Sequence, residues 1–219
     1  MLNPDIARQL NVNEDNLLQV KNIIFDLGGV IINIHYQASI ELFKQMGFTD
    51  FEGIYTQLKQ THLFDLLETG KIAPQIFRDE LRKYNLSISD EQIDQAWNAM
   101  IGSMPAEHIP LLMRIRKKYR TFLLSNTNAI HINYFQNYLK QSFGANPLPL
   151  MFEHTYYSHD IGERKPNVSA YEFVLNDAGL KASETLFIDD LAANIEGARK
   201  AGLLAYHLSD ETISDIFQN

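Results

Sequence analysis

Five short apolar runs punctuate the chain: Asn22–Asp26, Thr121–Ser125, His154–Ser158, Thr185–Asp189 and Leu203–Leu208. They are continuously apolar rather than alternating, the pattern of strands covered on both faces, as parallel strands are. Helical periodicity separates the later runs. Val168, Tyr171, Val174, Leu175 and Ala178 share one face, and Gly179 supplies a stop. Ile195 and Ala198 open a further helix that ends at Gly202. Strands alternating with helices predict a right-handed α/β fold around a central parallel sheet of about five strands flanked by helices.

Between Tyr36 and Pro105 the pattern becomes helical, with few strand signals. Ser89-Asp90-Glu91-Gln92 has the form of a capping box. Ile93, Ala96, Trp97, Met100 and Ile101 follow it on one helical face. A second helix is predicted over Pro74–Tyr84, with Pro74 suited to a first turn. The predicted organisation is therefore a helical extension over residues 1–20, an α/β core formed by 21–35 and 106–219, and a small all-helical insert over 36–105.

Composition narrows the function classes. The 219 residues are 45% hydrophobic and 21% charged, ordinary for a globular chain with one sizeable core. A net charge of −8 argues against general nucleic-acid binding, but leaves room for a small phosphorylated ligand at a local positive site. With no cysteine there is neither a disulfide nor a thiolate metal site. The first twenty residues lack the basic start and apolar core of a signal peptide, and no apolar run approaches membrane-spanning length. The expectation is a soluble, cytoplasmic protein with no membrane or nucleic-acid partner. The seven histidines are scattered without metal-ligand spacing and read as structural or surface residues.

Four polar features carry candidate chemistry. Asp26, Ser125-Asn126-Thr127-Asn128 and Asp189-Asp190 each end a predicted strand, and Gly162-Glu163-Arg164-Lys165-Pro166 lies in a loop before a helix. Ligands of open α/β sheets bind at the carboxyl ends of the strands, so features distant in sequence can share one site. Carboxylates from two strands suit a hard cation such as Mg²⁺. A hydroxyl with neighbouring amides suits phosphate oxygens, and a lysine balances their charge. A carboxylate can also attack phosphorus and split one difficult transfer into two easier ones. Singly, each feature has a plainer reading: a turn acid, a polar turn, a solvated lysine, an exposed acid pair.

Together, the motifs "IIFDLGGVI", "LLSNTN", "GERKP" and "LFIDDLAANIEGARKAGL" resemble, in order and spacing, those of the haloacid dehalogenase superfamily. The resemblance covers Asn22 to Leu208 and is to small phosphatase-like members with a helical cap after the first strand. It implies a Rossmann-like core, a small phosphorylated metabolite as substrate, and Mg²⁺ as cofactor. It also implies Asp26 as nucleophile and metal ligand, the Gly28 backbone carbonyl as a further ligand, and Asp190 as the main second carboxylate. Asp189 and Asn194 would support the metal. Ser125 and the Asn126 backbone amide would bind the phosphoryl group, and Lys165 would bridge it to Asp26. A cis Lys165–Pro166 bond would aim Lys165 inward, although trans is the base expectation.

The sequence departs from the family pattern at Gly28, where most phosphatases of the superfamily carry an aspartate that protonates the leaving oxygen. Such help is typically worth about 10² to 10⁴ in rate. Three readings follow. The first is an active phosphatase for a sugar phosphate, such as a sugar 1-phosphate whose leaving oxygen is less basic, with the proton relayed by the insert or by water. The second is a lapsed enzyme that binds a phosphorylated ligand or a protein partner. The third is a dehalogenase or phosphomutase, which the retained Asp189 and Asp190 and the missing acid, respectively, disfavour. Substrate choice is expected to lie in the insert, with Leu63-Phe64, Glu68 and the turn at Gly70 as candidates for its inner face, against packing within the insert.

Overall fold

The computed structural model describes residues 2, 6, 10, 19–48, 50–60, 62–209 and 211–217. Strands β1 (Asn22–Phe25), β2 (Arg120–Ser125), β3 (His154–Tyr157), β4 (Thr185–Asp189) and β5 (Leu204–His207) form one sheet in the order β3-β2-β1-β4-β5. Every pairing is parallel, and central β1 sets Phe25 beside Leu123 on one side and Ile188 on the other. This is the parallel α/β sheet that the apolar runs predict and the Rossmann-like core that the resemblance implies.

Helices cover both faces, which is why the central strands are buried along their length, while the edge strand β3 opens on an exposed His154. After β1 come α1 (Tyr36–Gln45), α2 (Phe51–Gln60), α3 (Leu63–Glu68), α4 (Pro74–Arg82), α5 (Asp90–Asn98) and α6 (His108–Arg116). The later helices are α7 (Ala129–Phe143), α8 (Leu148–Met151), α9 (Ser158–Ile161), α10 (Val168–Asp177), α11 (Ala192–Lys200) and α12 (Ile213–Ile216). Ile23, Phe25, Leu123 and Ile188 pack against α6, α7 and α12. Ile24, Phe122, Leu124 and Phe187 pack on the other face against Tyr171 and Val174 of α10 and Ile195 and Ala198 of α11. Side chains alternate across each strand, so neighbouring residues serve the two layers.

Residues 36–98 supply α1 to α5 and a hydrophobic cluster of their own around Phe43, Phe77, Leu81, Ile93 and Trp97, which Ile130 of α7 joins from the sheet side. Fully burying each such side chain contributes about 1.5–3 kcal/mol. The two connections into this insert run side by side. Asn33 donates to the Ser103 carbonyl at 3.0 Å, His35 to Met100 at 2.8 Å, and Gly102 back to Asn33 at 2.9 Å. The capping box at α5 forms as its pattern implies. Ser89 Oγ accepts from the Gln92 amide at 3.2 Å, and Gln92 Oε1 accepts from the Ser89 amide at 2.9 Å.

Several boundaries differ from the sequence reading by one or two residues. Ser158 begins a helix instead of ending a strand, because its hydroxyl accepts from the Thr127 amide and donates to the Thr127 carbonyl, both at 2.9 Å. The helix from Pro74 ends at Arg82. Most of the extension expected over residues 1–20 lies outside the described residues, but Leu2 and Ile6 are buried in the core, and Leu2 bridges to Phe217. No helix among the described residues is long and apolar enough to cross a membrane.

Candidate active site

The carboxyl ends of β1, β2 and β4 deliver Asp26, Ser125 and Asp189-Asp190 to one place, and the loop before α10 brings Lys165 beneath them. Lys165 is fully buried. Its Nζ lies 2.6 Å from Asp26 Oδ1 and 2.7 Å from Asp189 Oδ2. Its backbone is clamped as well: Asn126 Oδ1 accepts from the Lys165 amide at 2.9 Å, and Asn126 Nδ2 donates to the Lys165 carbonyl at 2.8 Å. The Lys165–Pro166 peptide is cis.

Asp189 faces inward and is fully engaged. Besides Lys165, it accepts from the Leu191 amide at 2.8 Å and from Asn194 Nδ2 at 2.9 Å and 3.0 Å. Asn194 is fixed in turn by Tyr171, whose hydroxyl donates to its carbonyl at 2.7 Å. Asp190 points into the cleft, and a glycine makes room for it. At Gly29 the backbone is left-handed, φ +74°, and a Cβ there would sit 2.3 Å from Asp190 Oδ2. Only glycine tolerates both the dihedral and the approach. Asp26, Asp189 and Asp190 each bring a carboxylate oxygen within 4.8 Å of the others.

The charge balance is negative, with three carboxylates around one ammonium. Burial lifts Asp26 to about 7 against the pull of Lys165, and Asp189 adds to the rise. Asp190 is raised by burial and then by Asp189. Burial opposes the charge on Lys165, but Asp26 and Asp189 outweigh it and hold the ammonium above its ordinary value. An all-oxygen, net-negative cluster is a donor set that fits a hard divalent cation.

A pocket of about 200 Å³ opens above these groups, and Gly28, Ser125, Asn126, His131 and Arg164 also line it. A larger chamber of about 420 Å³ adjoins it inside the insert, lined by aromatic residues including Phe51, Tyr55, Phe64 and Trp97. The two share Tyr36, Glu68 and Met100. Glu68 and Asp65 of α3 both contact the Arg164 guanidinium, Glu68 Oε2 at 2.9 Å from Nη2, so the loop carrying Lys165 also ties down the insert. Gly70, at φ +65°, packs so tightly against the core that a Cβ there would lie 2.3 Å from the His159 carbonyl.

Of the residues singled out in the sequence, Asp26, Gly28, Ser125, Asn126, Lys165, Asp190 and Asn194 line the pocket, and Asp189 lies beneath it against Lys165. Of the residues named for the insert's inner face, Phe64 and Glu68 line the chamber, while Leu63 is buried in the insert's own cluster. Sequence reasoning missed His131. Burial pushes this imidazole down to about 3, despite a hydrogen bond to the Trp97 backbone that works the other way, and its Nε2 has no partner. The signal was faint: a histidine in the first turn of the helix that follows Ser125-Asn126-Thr127-Asn128, with Asn128 as N-cap.

The family description of haloacid dehalogenase-like hydrolases matches residues 20–202. The chain is 31% identical over 184 residues to the D-ribitol-5-phosphate phosphatase of Bacteroides thetaiotaomicron, covering 84% of this chain and 89% of that one. A haloacid dehalogenase family enzyme of the same organism, solved with magnesium and inorganic phosphate, superposes with a TM-score of 0.81 at 36% identity, covering 91% of this chain and 100% of the other. A predicted family hydrolase from Porphyromonas gingivalis superposes at 0.78 with 33% identity, covering 88% and 92%. Motif order, strand-end geometry and these likenesses agree: the chain belongs to the haloacid dehalogenase-like hydrolases.

Proposed function

We propose that the protein is a Mg²⁺-dependent phosphatase that hydrolyses a small polyol or sugar phosphate through an aspartyl-phosphate on Asp26. The observation that carries this reading is the buried Lys165 ammonium, 2.6 Å from Asp26 and 2.7 Å from Asp189 at the floor of a small polar pocket. Lysine orients the Asp26 carboxylate and offers its remaining charge to an incoming phosphoryl group. Ser125 and the Asn126 backbone amide complete the phosphoryl cradle. Asp189 and Asn194 hold the lysine and the strand-end turn in register. Asp26, the Gly28 carbonyl and Asp190 would hold the metal, which supplies neutralising charge for phosphate oxygens.

Asp26 attacks phosphorus, the bond to the alcohol oxygen breaks, and water then cleaves the aspartyl-phosphate to release phosphate. Positioning and electrostatics supply most of the assistance in such transfers. Two things support a polyol or sugar as the alcohol: the likeness to a phosphatase of ribitol 5-phosphate, and a small polar pocket of about 200 Å³ for the phosphoryl group that adjoins a chamber of about 420 Å³ with room for a short carbon chain. A sugar 1-phosphate remains within this class.

Phosphate release from a panel of polyol and sugar phosphates, with and without Mg²⁺, tests the reading. Turnover is expected only with the metal, and Asp26→Asn is expected to abolish it. A wild-type protein as inert as the variant while still binding phosphorylated ligands would overturn it in favour of a lapsed enzyme.

A further inference from the structure

An alkyl phosphate needs its leaving oxygen protonated, and position 28 holds no acid. The structure narrows where the proton comes from. In a phosphomonoester, the bridging oxygen joins the phosphoryl group to the carbon skeleton. Here the phosphoryl pocket and the aromatic chamber meet at three side chains, Tyr36, Glu68 and Met100. Methionine has no proton to give. Glu68 is held in place by Arg164 Nη2 at 2.9 Å and keeps 24% of its side chain accessible. Its Oε2 makes no aligned hydrogen bond.

We propose that Glu68, carried by the helical insert, is the general acid–base of the reaction, replacing the side chain that Gly28 lacks. The inference rests on the phosphatase reading. In the first half-reaction, Asp26 attacks phosphorus and the P–O bond to the alcohol breaks. The carboxyl proton of Glu68 passes to the departing oxygen, which leaves as the neutral alcohol. In the second, water attacks the phosphorus of the aspartyl-phosphate and gives its proton to the Glu68 carboxylate. The bond to Asp26 breaks, phosphate leaves, and both carboxyl groups return to their starting states.

Burial separates Glu68 from its rivals. It disfavours charge on every group at this junction, with opposite consequences for the proton. Glu68 is raised by burial, while Arg164 and Lys165 pull it down and Asp65 adds to the rise, so it holds a proton nearer neutrality than an exposed carboxyl does. Tyr36 is raised by burial and then by Asp190 and Asp26, so its phenol releases its proton less readily at neutral pH. His131, pushed down to about 3, is held as the neutral imidazole and so is a poor proton donor.

Leaving-group dependence provides the test. Wild type, Glu68→Gln, Glu68→Asp and Tyr36→Phe are assayed with Mg²⁺ on ribitol 5-phosphate, glycerol 3-phosphate and p-nitrophenyl phosphate. Glu68→Gln keeps an oxygen for Arg164 but cannot cycle a proton. Its kcat/KM is expected to fall about 10² to 10⁴-fold on the alkyl esters and less than about tenfold on p-nitrophenyl phosphate, whose leaving group needs no proton. Glu68→Asp, with a shorter reach, is expected to show the same selectivity with a smaller loss, and it serves if the amide variant does not fold. Tyr36→Phe is expected to lose no selectivity. Equal loss on both ester classes would make Glu68 a positioning residue acting through Arg164 and would overturn the proposal. No loss, or selective loss in Tyr36→Phe instead, would do the same. A wild type inert on every ester with Mg²⁺ would remove the phosphatase reading itself, and the inference with it.

Discussion

Gly28→Asp returns to the core the acid that the chain lacks, and its consequences can be worked from two contacts. A Cβ at position 28 would lie 3.1 Å from Ile34 Cγ1 and 3.2 Å from Ile34 Cδ1. Both atoms belong to the end of one side chain, so the neighbour yields by a few tenths of an ångström without moving backbone. Ile34, however, is half-buried and pairs with Ile101 where the chain crosses into the insert, so its freedom is limited. Overpacking of this kind costs about 1–3 kcal/mol. For a chain of this length that lowers the melting temperature by about 2–4 °C per kcal/mol. Ile34→Ala removes both clashing atoms, so Gly28→Asp is expected to be less destabilising in an Ile34→Ala background than in wild type. The catalytic consequence depends on Glu68. With Glu68 present, a second acid is redundant, and the gain on an alkyl phosphate is expected to be under about tenfold. In a Glu68→Gln background, Gly28→Asp is expected to recover a large part of the roughly 10² to 10⁴ that acid catalysis contributes. Thermal melts and kcat/KM on ribitol 5-phosphate, measured across the four combinations of positions 28 and 68, read both effects. A gain above about 100-fold in wild type, with none in the Glu68→Gln background, would refute the reasoning.

Two further outcomes follow from the buried charges. Lys165→Met leaves Asp26 and Asp189 facing each other without their cation. Breaking a buried pair in this way is expected to lower stability by about 3–5 kcal/mol and to abolish phosphate release; urea unfolding and the phosphate assay check it, and unchanged stability would contradict the pairing. Mg²⁺ is expected to raise the melting temperature more at pH 8 than at pH 5.5. In the folded metal-free chain Asp26 lies at about 7 rather than at its ordinary 3.8, so below neutrality the ion must displace a proton. The sign for the metal-free protein is the reverse: the fold binds this proton more tightly than the unfolded chain, so the contribution of Asp26 to stability declines as pH rises from about 4 to 7. Equal metal-induced shifts at the two pH values would contradict it.

What was legible in the sequence was local or periodic. The central strands could be read because helices on both faces bury their apolar runs, and Ile24 and Phe25 serve opposite layers from adjacent positions. The acids could be read because a parallel sheet collects strand ends on one edge, so Asp26 and Asp189 were brought together by topology before any distance was known. What was not legible depends on contacts between distant segments. Arg164 meets Asp65 across ninety-nine residues, and nothing in "GERKP" foretells it. Asn126 resembles a residue that offers its backbone to phosphate, and its side chain spans the Lys165 backbone thirty-nine residues away. His131 reads as a structural histidine until the insert closes over it and removes its water. The aromatic residues of the chamber follow the same helical spacings as those of the insert's core, so Phe64 and Phe77, 6.2 Å apart, are alike in sequence although only Phe64 lines the chamber.

An acid at position 28 and an acid at position 68 differ in what they depend on. The first would be fixed to the end of β1 and present whatever the insert does. The second arrives on α3, and its place over the pocket depends on Arg164, next in sequence to the lysine that bridges Asp26 and Asp189. The same loop therefore sets the floor of the site and holds its roof. A proton donor carried by the roof is in place only when the pocket is covered, which is also when water is excluded from a reactive aspartyl-phosphate. Hydrolysis of the aspartyl-phosphate then needs one admitted water, and in the proposed mechanism Glu68 takes its proton. On this arrangement the missing aspartate does not weaken the site. It makes proton supply conditional on the insert, and selectivity for alcohols long enough to reach the chamber follows from the same contact.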